Sequence, residues 1–191
     1  MTIINTVNKK NGEYIQAKSL NLSEVSRYYL YFMFYSFLGW AWEKVFIFII
    51  DGTLEERGFL HIPVCTIYGV GVALILFLFS KRNYNMMTVF GGSVLVTGLL
   101  EFITSWEMEK LFRRIWWDYS GWIFNIYGRV SLFSSIGFGV FGIMLVYWIH
   151  PFLYKVLDKY FRMRFSLIIS GVLGAITVID FIYTIYSILI I

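Results

Sequence analysis

Five long apolar runs, separated by polar or aromatic segments, dominate the pattern of hydrophobic and polar positions along this chain. They cover about residues 26–50, 63–79, 86–106, 130–149 and 165–191. A helix needs about 20 apolar residues to cross the roughly 30 Å hydrocarbon layer of a bilayer. The pattern therefore predicts an all-α, polytopic membrane protein with about five transmembrane helices. We expect a polar N-terminal segment over residues 1–24 and a single helical domain over residues 25–191.

The segment between the third and fourth runs has a different character. Residues 101–129 include four tryptophans and eight charged side chains. Trp and Tyr rings prefer the headgroup layer, which accommodates an apolar body and a polar edge together. We therefore predict that residues 107–129 fold into an aromatic cap at one face of the membrane. The alternative is an amphipathic interfacial helix that only anchors the loop.

Composition narrows the classes of function. The chain is 59% hydrophobic and 15% charged, whereas soluble proteins average about 25% charged residues. The single cysteine, Cys65, excludes an internal disulfide, and His61 and His150 are too far apart in sequence to predict a metal cluster. No Gly-x4-Gly-Lys-Ser/Thr motif occurs, so the chain cannot hydrolyse ATP by the P-loop route. We predict no cofactor and no metal.

The basic residues predict an orientation. With the N-terminus inside, ten Lys and Arg residues fall on the cytoplasmic side and six on the outer side. Cytoplasmic loops carry an excess of Lys and Arg, so we predict a cytoplasmic N-terminus and an outward-facing cap. The same rule explains the net charge of +4 without a nucleic-acid partner.

Three acidic residues lie inside the predicted spans, where a carboxylate costs at least about 2.5 kcal/mol on insertion scales. They are Glu43, Glu101 and Asp180. We expect Glu43 and Glu101 at similar depth in the outer half of the membrane, where Arg57 and Arg129 are natural cationic partners. We expect Asp180 near mid-membrane, either protonated or hydrogen-bonded to a neighbouring helix.

Three interpretations of the Glu43–Glu101 cluster stay open. Its ion pairs could serve only to fix the order of the helices. The cluster could instead line an outward polar cavity for a substrate headgroup or an ion. The two carboxylates could also act as an acid–base pair, but no Ser–His arrangement accompanies them, so we assign no catalytic residue.

A weak internal repeat relates the two halves of the chain. In the first half, Gly39 and Glu43 are followed by Arg57 and then by a predicted helix that contains glycines. In the second half, Gly98 and Glu101 are followed by Arg129 and then by a second predicted helix that contains glycines. Two such hairpins would bring both acids to one central cavity. Chance is an alternative explanation, because glycines are frequent in membrane helices.

Pairs of small residues four positions apart predict where helices touch, because they let two backbones approach closely. The pairs are Gly69/Ala73, Ser135/Gly139 and Gly171/Ala175. We interpret them as packing positions only.

Several short blocks together resemble the CmpB-like family of bacterial ABC-transporter membrane proteins (type IV). The blocks are FLGWAWE at 37–43, RGFL at 57–60, IYG at 67–69, EFITS at 101–105, WDYS at 117–120, FN at 124–125 and GR at 128–129. The likeness covers roughly residues 30–150. Two departures are Ile62-Pro63, where the family tends to have Gly-Pro, and Thr66, where it tends to have Pro. The second could alter the bend at the start of the second span.

The resemblance implies a small, permease-like protein of the bacterial cytoplasmic (inner) membrane, and it groups the polar residues into one site. The residues that we expect to bind a ligand or form the polar cluster are Glu43, Arg57, Tyr68, Glu101, Glu109, Trp117, Asp118, Asn125 and Arg129.

Three functions remain as hypotheses. The first is a membrane component of a transport system that recognises an outward-presented small polar or lipid-like ligand. It implies membrane lipids around the protein and a separate ATPase subunit that docks on residues 1–24 or the basic linker 151–164. The second is an intramembrane enzyme that acts on a lipid or lipid-linked substrate. The third is a structural or regulatory partner of another membrane protein. The sequence leaves oligomerisation open.

Overall fold

The computed structural model describes residues 21–52, 58–161 and 165–190. The helices are α1 (Leu22–Asp51), α2 (Thr66–Phe79), α3 (Met86–Phe112), α4 (Leu132–Met144), α5 (His150–Phe161) and α6 (Phe165–Ile190). A π-helical turn over Leu145–Ile149 joins α4 to α5, so Leu132–Phe161 is one continuous helix. A two-stranded antiparallel hairpin, β1 (Asn125–Ile126) and β2 (Val130–Ser131), precedes α4. The prediction of an all-α membrane protein with about five transmembrane helices is confirmed in its fold class and is close in its count: the described residues contain four helices that could span a membrane and the shorter apolar helix α2.

Four of these helices are long and apolar enough to cross a membrane. They have 26 to 30 residues, which corresponds to about 39–45 Å at 1.5 Å per residue. Helix α2 is apolar but has only 14 residues, or about 21 Å, which is less than the roughly 30 Å hydrocarbon layer. Helix α2 alone is therefore too short to cross this layer, and the described residues that precede it, 58–65, are not helical.

Beside its apolar core, the bundle buries a set of small polar side chains, and it exposes many large apolar ones. Along α3 the residues Ser93, Thr97, Glu101 and Ser105 form a buried stripe with four-residue spacing. Leu95, Leu99 and Ile103 on the other face are exposed, with more than half of the surface of each residue accessible. This inside-out distribution suits a lipid surround, because lipid tails are as apolar as leucine and small residues let helices approach.

Two of the three predicted small-residue contacts are found. A Cβ at Gly69 would lie 2.2 Å from the Ser36 hydroxyl of α1, and a Cβ at Gly139 would lie 2.6 Å from the Phe90 ring of α3. The prediction for Gly171 was wrong, since a Cβ added there would have nothing within 4 Å. Helix α6 instead meets α1 through Ser170, the residue before Gly171.

The helix that corresponds to the predicted fourth span does not end near residue 149, just before Pro151, as predicted. It continues to Phe161, so most of the predicted basic linker 151–164 is helical, and residues 162–164 lie outside the described part. Proline lacks an N–H and its ring clashes with the carbonyl four residues earlier. The π turn before it absorbs this conflict: the N–H of His150 bonds the carbonyl of Leu145, five residues back.

Helix α3 extends six residues beyond the predicted span and into the predicted cap. Glu107, Glu109 and Lys110 are compatible with a helix, and α3 ends only where Arg113 adopts a left-handed conformation with φ of 56°. The folded segment between α3 and α4, which we call the cap, therefore covers residues 113–131.

Short-range hydrogen bonds give the cap its shape. The Asp118 carboxylate accepts the backbone N–H of Ser120 at 2.8 Å and its hydroxyl at 2.9 Å. The Asn125 side chain donates to the Trp122 carbonyl and accepts the N–H of Gly128, both at 2.9 Å. The N–H of Tyr119 then bonds the Gly128 carbonyl at 2.8 Å and closes the loop.

Residues 58–65, which we call the re-entrant linker, enter the bundle without helical structure. The N–H of Cys65 donates to the carbonyl of Ser36, close to the midpoint of α1. Backbone at this depth must be satisfied by protein, because lipid offers no hydrogen bonds. The Asp180 carboxylate of α6 satisfies two further backbone groups of the linker. It accepts the N–H groups of His61 at 2.9 Å and Ile62 at 3.3 Å. We expected Asp180 either to be protonated or to bond a neighbouring helix. Its described partners lie instead in the linker.

At the end of the bundle opposite the cap, polar contacts tie α1 to α5 and α6. The Ser26 hydroxyl donates to the carbonyl of Ser166 at 3.1 Å and lies 2.8 Å from the Ser170 hydroxyl. The largely buried side chains of Arg27 and Asp158 form an ion pair at 3.5 Å.

We predict that Gly128→Ala destabilises the cap. Gly128 has φ of 68°, and an added Cβ would lie 2.7 Å from Asp118 Oδ1. A residue other than glycine in this region costs on the order of 1–3 kcal/mol, so the thermal midpoint of the purified protein, followed by tryptophan fluorescence, should fall. Gly121→Ala is the matched control, because this cap glycine has open space around it. Equal midpoints for the two variants would contradict this account of the cap.

We also predict that Asp180→Ala loosens the re-entrant linker. The substitution leaves the backbone N–H groups of His61 and Ile62 without an acceptor. Each unpaired N–H group lowers the free energy of unfolding by about 1–3 kcal/mol when it is buried. Thermal unfolding in detergent should show a clear loss, and Asp180→Asn, which keeps one oxygen, should lose less. Ser187→Ala serves as the control, since that hydroxyl bonds the Thr184 carbonyl of its own helix. A loss no larger than that of the control would refute the role of Asp180.

Candidate functional site

A cavity of about 190 Å³ lies beneath the cap, between α1, α2, α3 and α4. Val72, Ile75 and Thr97 line it near the middle of the bundle, and Trp116 and Tyr119 of the cap line its other end. The cavity is therefore built from all three features described above: the helix hairpins, the linker and the cap.

Glu43 reaches this cavity from α1 and is held by α2. The Tyr68 hydroxyl donates to Glu43 Oε1 at 3.0 Å, and both residues line the cavity. Gly39, one turn before Glu43, makes this possible, since a Cβ there would lie 2.3 Å from the Tyr68 ring. The close approach of α1 and α2 thus sets the position of the tyrosine hydroxyl.

Glu101 reaches the same cavity from α3 and is more deeply buried. Its side chain accepts the Tyr119 hydroxyl of the cap at 3.2 Å and the Ser134 hydroxyl of α4 at 3.4 Å. Burial, followed by the neighbouring Glu101 carboxylate, raises the pKa of Tyr119, so its phenol stays protonated and remains a donor. The carboxylate of Glu101 therefore connects three separate segments.

The prediction that Arg129 would pair with an acid inside the spans was wrong. Its guanidinium forms an ion pair with Glu109, two turns beyond Glu101 along α3, and donates to the Ser105 hydroxyl at 3.0 Å. The Trp117 indole donates to the Arg129 carbonyl at 3.0 Å. The cap hairpin directs the guanidinium toward the end of α3, so this pair closes the cap onto the helix and leaves Glu101 to its hydroxyl donors.

The predicted site residues therefore divide into two groups. Glu43, Tyr68, Glu101 and Trp117 line the cavity. The others that the structure describes belong to the cap or to its junction with α3, namely Glu109, Asp118, Asn125 and Arg129. Arg57 lies outside the described residues.

Asp118 has a local role in the cap. It is fully exposed, and the backbone N–H of Ser120, followed by the Ser120 hydroxyl, holds the pKa of Asp118 below its usual value. The WDYS block thus shapes a turn with Asp118 and Ser120, while its tyrosine reaches the cavity.

Sequence reasoning missed several residues of the site. Tyr119 stands inside the WDYS block, but nothing in the pattern distinguishes its direction from that of Asp118. Ser134, which donates to Glu101 without lining the cavity, forms the capping box that starts α4 with Ser131. Its Ser-x-x-Ser spacing departs from the usual Ser/Thr-x-x-Glu/Gln signature. Phe138 and Phe141, which also line the cavity, have no sequence signal that separates them from lipid-facing phenylalanines.

No curated protein and no solved structure matches this chain. A family model does match, over residues 30–185. This range contains α2, α3, α4 and the cap in full, and α1 from Leu30 onward. The chain belongs to the family described as "Putative ABC-transporter type IV".

Proposed function

We propose that this protein is the membrane-embedded, ligand-binding component of a transport system and that the cavity beneath the cap is its ligand site. One observation supports the proposal above all: Glu43 and Glu101, from separate helices, line one cavity at membrane depth. Ionisable residues inside a membrane protein are costly and normally mark substrate or ion pathways. Membership of an ABC-transporter-type family agrees with this function.

The orientation of the bundle is part of the proposal. The sequence has ten basic residues in the segments predicted to be cytoplasmic and six in those predicted to face outward, which favours a cytoplasmic N-terminus in a bacterial inner membrane. The cap and the cavity below it then face outward, where a solute would arrive.

Transport by this chain would need an external source of energy, since its sequence has no P-loop. We propose a separate ATPase subunit at the face opposite the cap. Helix α5 is the best surface for it among the described residues, with exposed Lys155, Lys159 and Phe152. The Arg27–Asp158 ion pair fixes this helix to α1 and thereby to the cavity.

We predict that the cavity is reached by water from the outer face. In a Cys65→Ala background, Thr104→Cys should react with a membrane-impermeant thiol reagent added to intact cells, because Thr104 lines the cavity. Ile103→Cys is the control. Ile103 is exposed on the apolar face of the same helix, where a thiol stays protonated and unreactive. Labelling of Thr104→Cys only in inverted vesicles would overturn the orientation, and no labelling on either side would count against a ligand site.

We further predict that a nucleotide-hydrolysing subunit depends on α5. Affinity purification from native membranes should recover vanadate-sensitive ATP hydrolysis, and the double change Lys155→Glu with Lys159→Glu should remove most of it. Lys110→Glu at the cap end is the matched charge reversal and should leave it unchanged. Purified protein that never carries ATPase activity, with or without the reversals, would refute the transport partner.

A further inference from the structure

We infer that the cavity beneath the cap binds a small organic amine in its cationic form, with Glu101 as the counter-charge and aromatic rings as the walls. The inference rests on the proposed function, because it takes the cavity to be a ligand site and names the chemical class of the ligand.

The charge of the cavity is the first step. Glu101 is a carboxylate that lines the cavity, and none of the described lining residues is Lys, Arg or His. The described partners of Glu101 are neutral hydroxyls, and the nearby guanidinium of Arg129 is engaged by Glu109. A buried carboxylate without a cationic partner is costly. A cationic ligand would remove that cost, and an anionic one would increase it.

The walls distinguish an organic cation from a metal ion. Tyr68, Trp116, Tyr119, Phe138 and Phe141 all line the cavity. Aromatic faces attract ammonium groups when these lie within about 6 Å of the ring centroid. Calcium and magnesium require six or more oxygen ligands, and the described residues contain no group of three His, Cys, Asp or Glu side chains that could hold a metal.

A third observation concerns hydrogen bonding. The indole N–H of Trp116, a residue that lines the cavity, is buried and has no acceptor in the described structure. Buried donors are normally paired, and an exception calls for an explanation. An oxygen on the ligand would supply the acceptor, so the ligand class narrows to amines that also carry a hydroxyl or carbonyl oxygen.

The size of the cavity favours a free solute. About 190 Å³ suits a small amino alcohol. A lipid headgroup of the same amine carries a phosphate, and this negative charge would be brought close to Glu101.

The test uses the full chain in an uncharged detergent and calorimetric titration with choline, ethanolamine and 3,3-dimethylbutan-1-ol. The last is the neutral counterpart of choline and has nearly the same shape. We expect saturable binding of at least one of the two amines and at least tenfold weaker binding of the alcohol. Glu101→Gln should weaken amine binding at least tenfold, and Glu107→Gln, an exposed acid outside the cavity, should not.

A second pair of variants guards against misfolding of Glu101→Gln. Gly71→Leu should fill the cavity while both carboxylates remain, since the nearest atom to its Cβ is Leu100 Cδ2 at 3.6 Å, and it should abolish amine binding. Gly137→Leu, which points into open space, should have no effect.

Different failures would have different meanings. Equal binding of choline and the neutral alcohol would overturn the amine class and leave the ligand site standing. Tighter binding of phosphoethanolamine than of ethanolamine would also overturn the inference of a free amine and leave the ligand site standing. It would point to a lipid headgroup, which carries that phosphate. Absence of binding by every probe, while Thr104→Cys is labelled from outside, would also overturn only the amine inference. Absence of both binding and labelling would remove the ligand site itself.

Discussion

The cap and the cavity beneath it depend on one contact, the hydrogen bond from the Tyr119 hydroxyl to the buried Glu101 carboxylate. A carboxylate at this depth must find donors within the protein. One donor comes from α4 and the other from the cap, so Glu101 can be satisfied only when the cap is folded over the cavity. The turns made by Asp118, Asn125 and Gly128 therefore matter to the cavity although none of them lines it. They hold the backbone that directs Tyr119 inward.

In each of the two helix hairpins, α1 with α2 and α3 with α4, a hydroxyl of the second helix donates to a glutamate of the first. In the first, Glu43 of α1 accepts a hydroxyl from Tyr68, near the start of the returning helix α2. In the second, Glu101 of α3 accepts a hydroxyl from Ser134, near the start of the returning helix α4. The weak repeat in the sequence thus has a structural counterpart, in which each hairpin satisfies its own acid. The cap is what the second hairpin has in addition.

The sequence was informative about long-range periodicity and poor at local exceptions. The apolar runs revealed the helices, and the buried stripe from Ser93 to Ser105 follows directly from four-residue spacing. Pro151 was misread as a stop because the π turn before it leaves no mark in composition. The partner of Arg129 was wrong because a basic residue at the mouth of a span has several acids within reach. Only the fold of the cap selects Glu109 over Glu101. Asp180 was placed in a span, but its partners belong to an irregular linker that no pattern predicted.

Polar contacts and ring contacts hold both ends of the bundle together. Opposite the cap, hydroxyl contacts of Ser26 and the Arg27–Asp158 ion pair join α1 to α5 and α6. Removing one partner of a buried ion pair is strongly destabilising, by about 3–5 kcal/mol. At the cap end, Phe59 of the linker lies 5.3 to 5.8 Å from the rings of Phe112, Trp116 and Phe181. Such ring contacts are worth about 0.5–1.5 kcal/mol each beyond burial, and lipid or ligand can replace them. At the opposite end Tyr31 makes contacts of the same kind with the rings of Phe161 and Tyr154, and at the cap end the Arg129–Glu109 ion pair adds a charged contact. Each end of the bundle therefore combines an ion pair with aromatic packing.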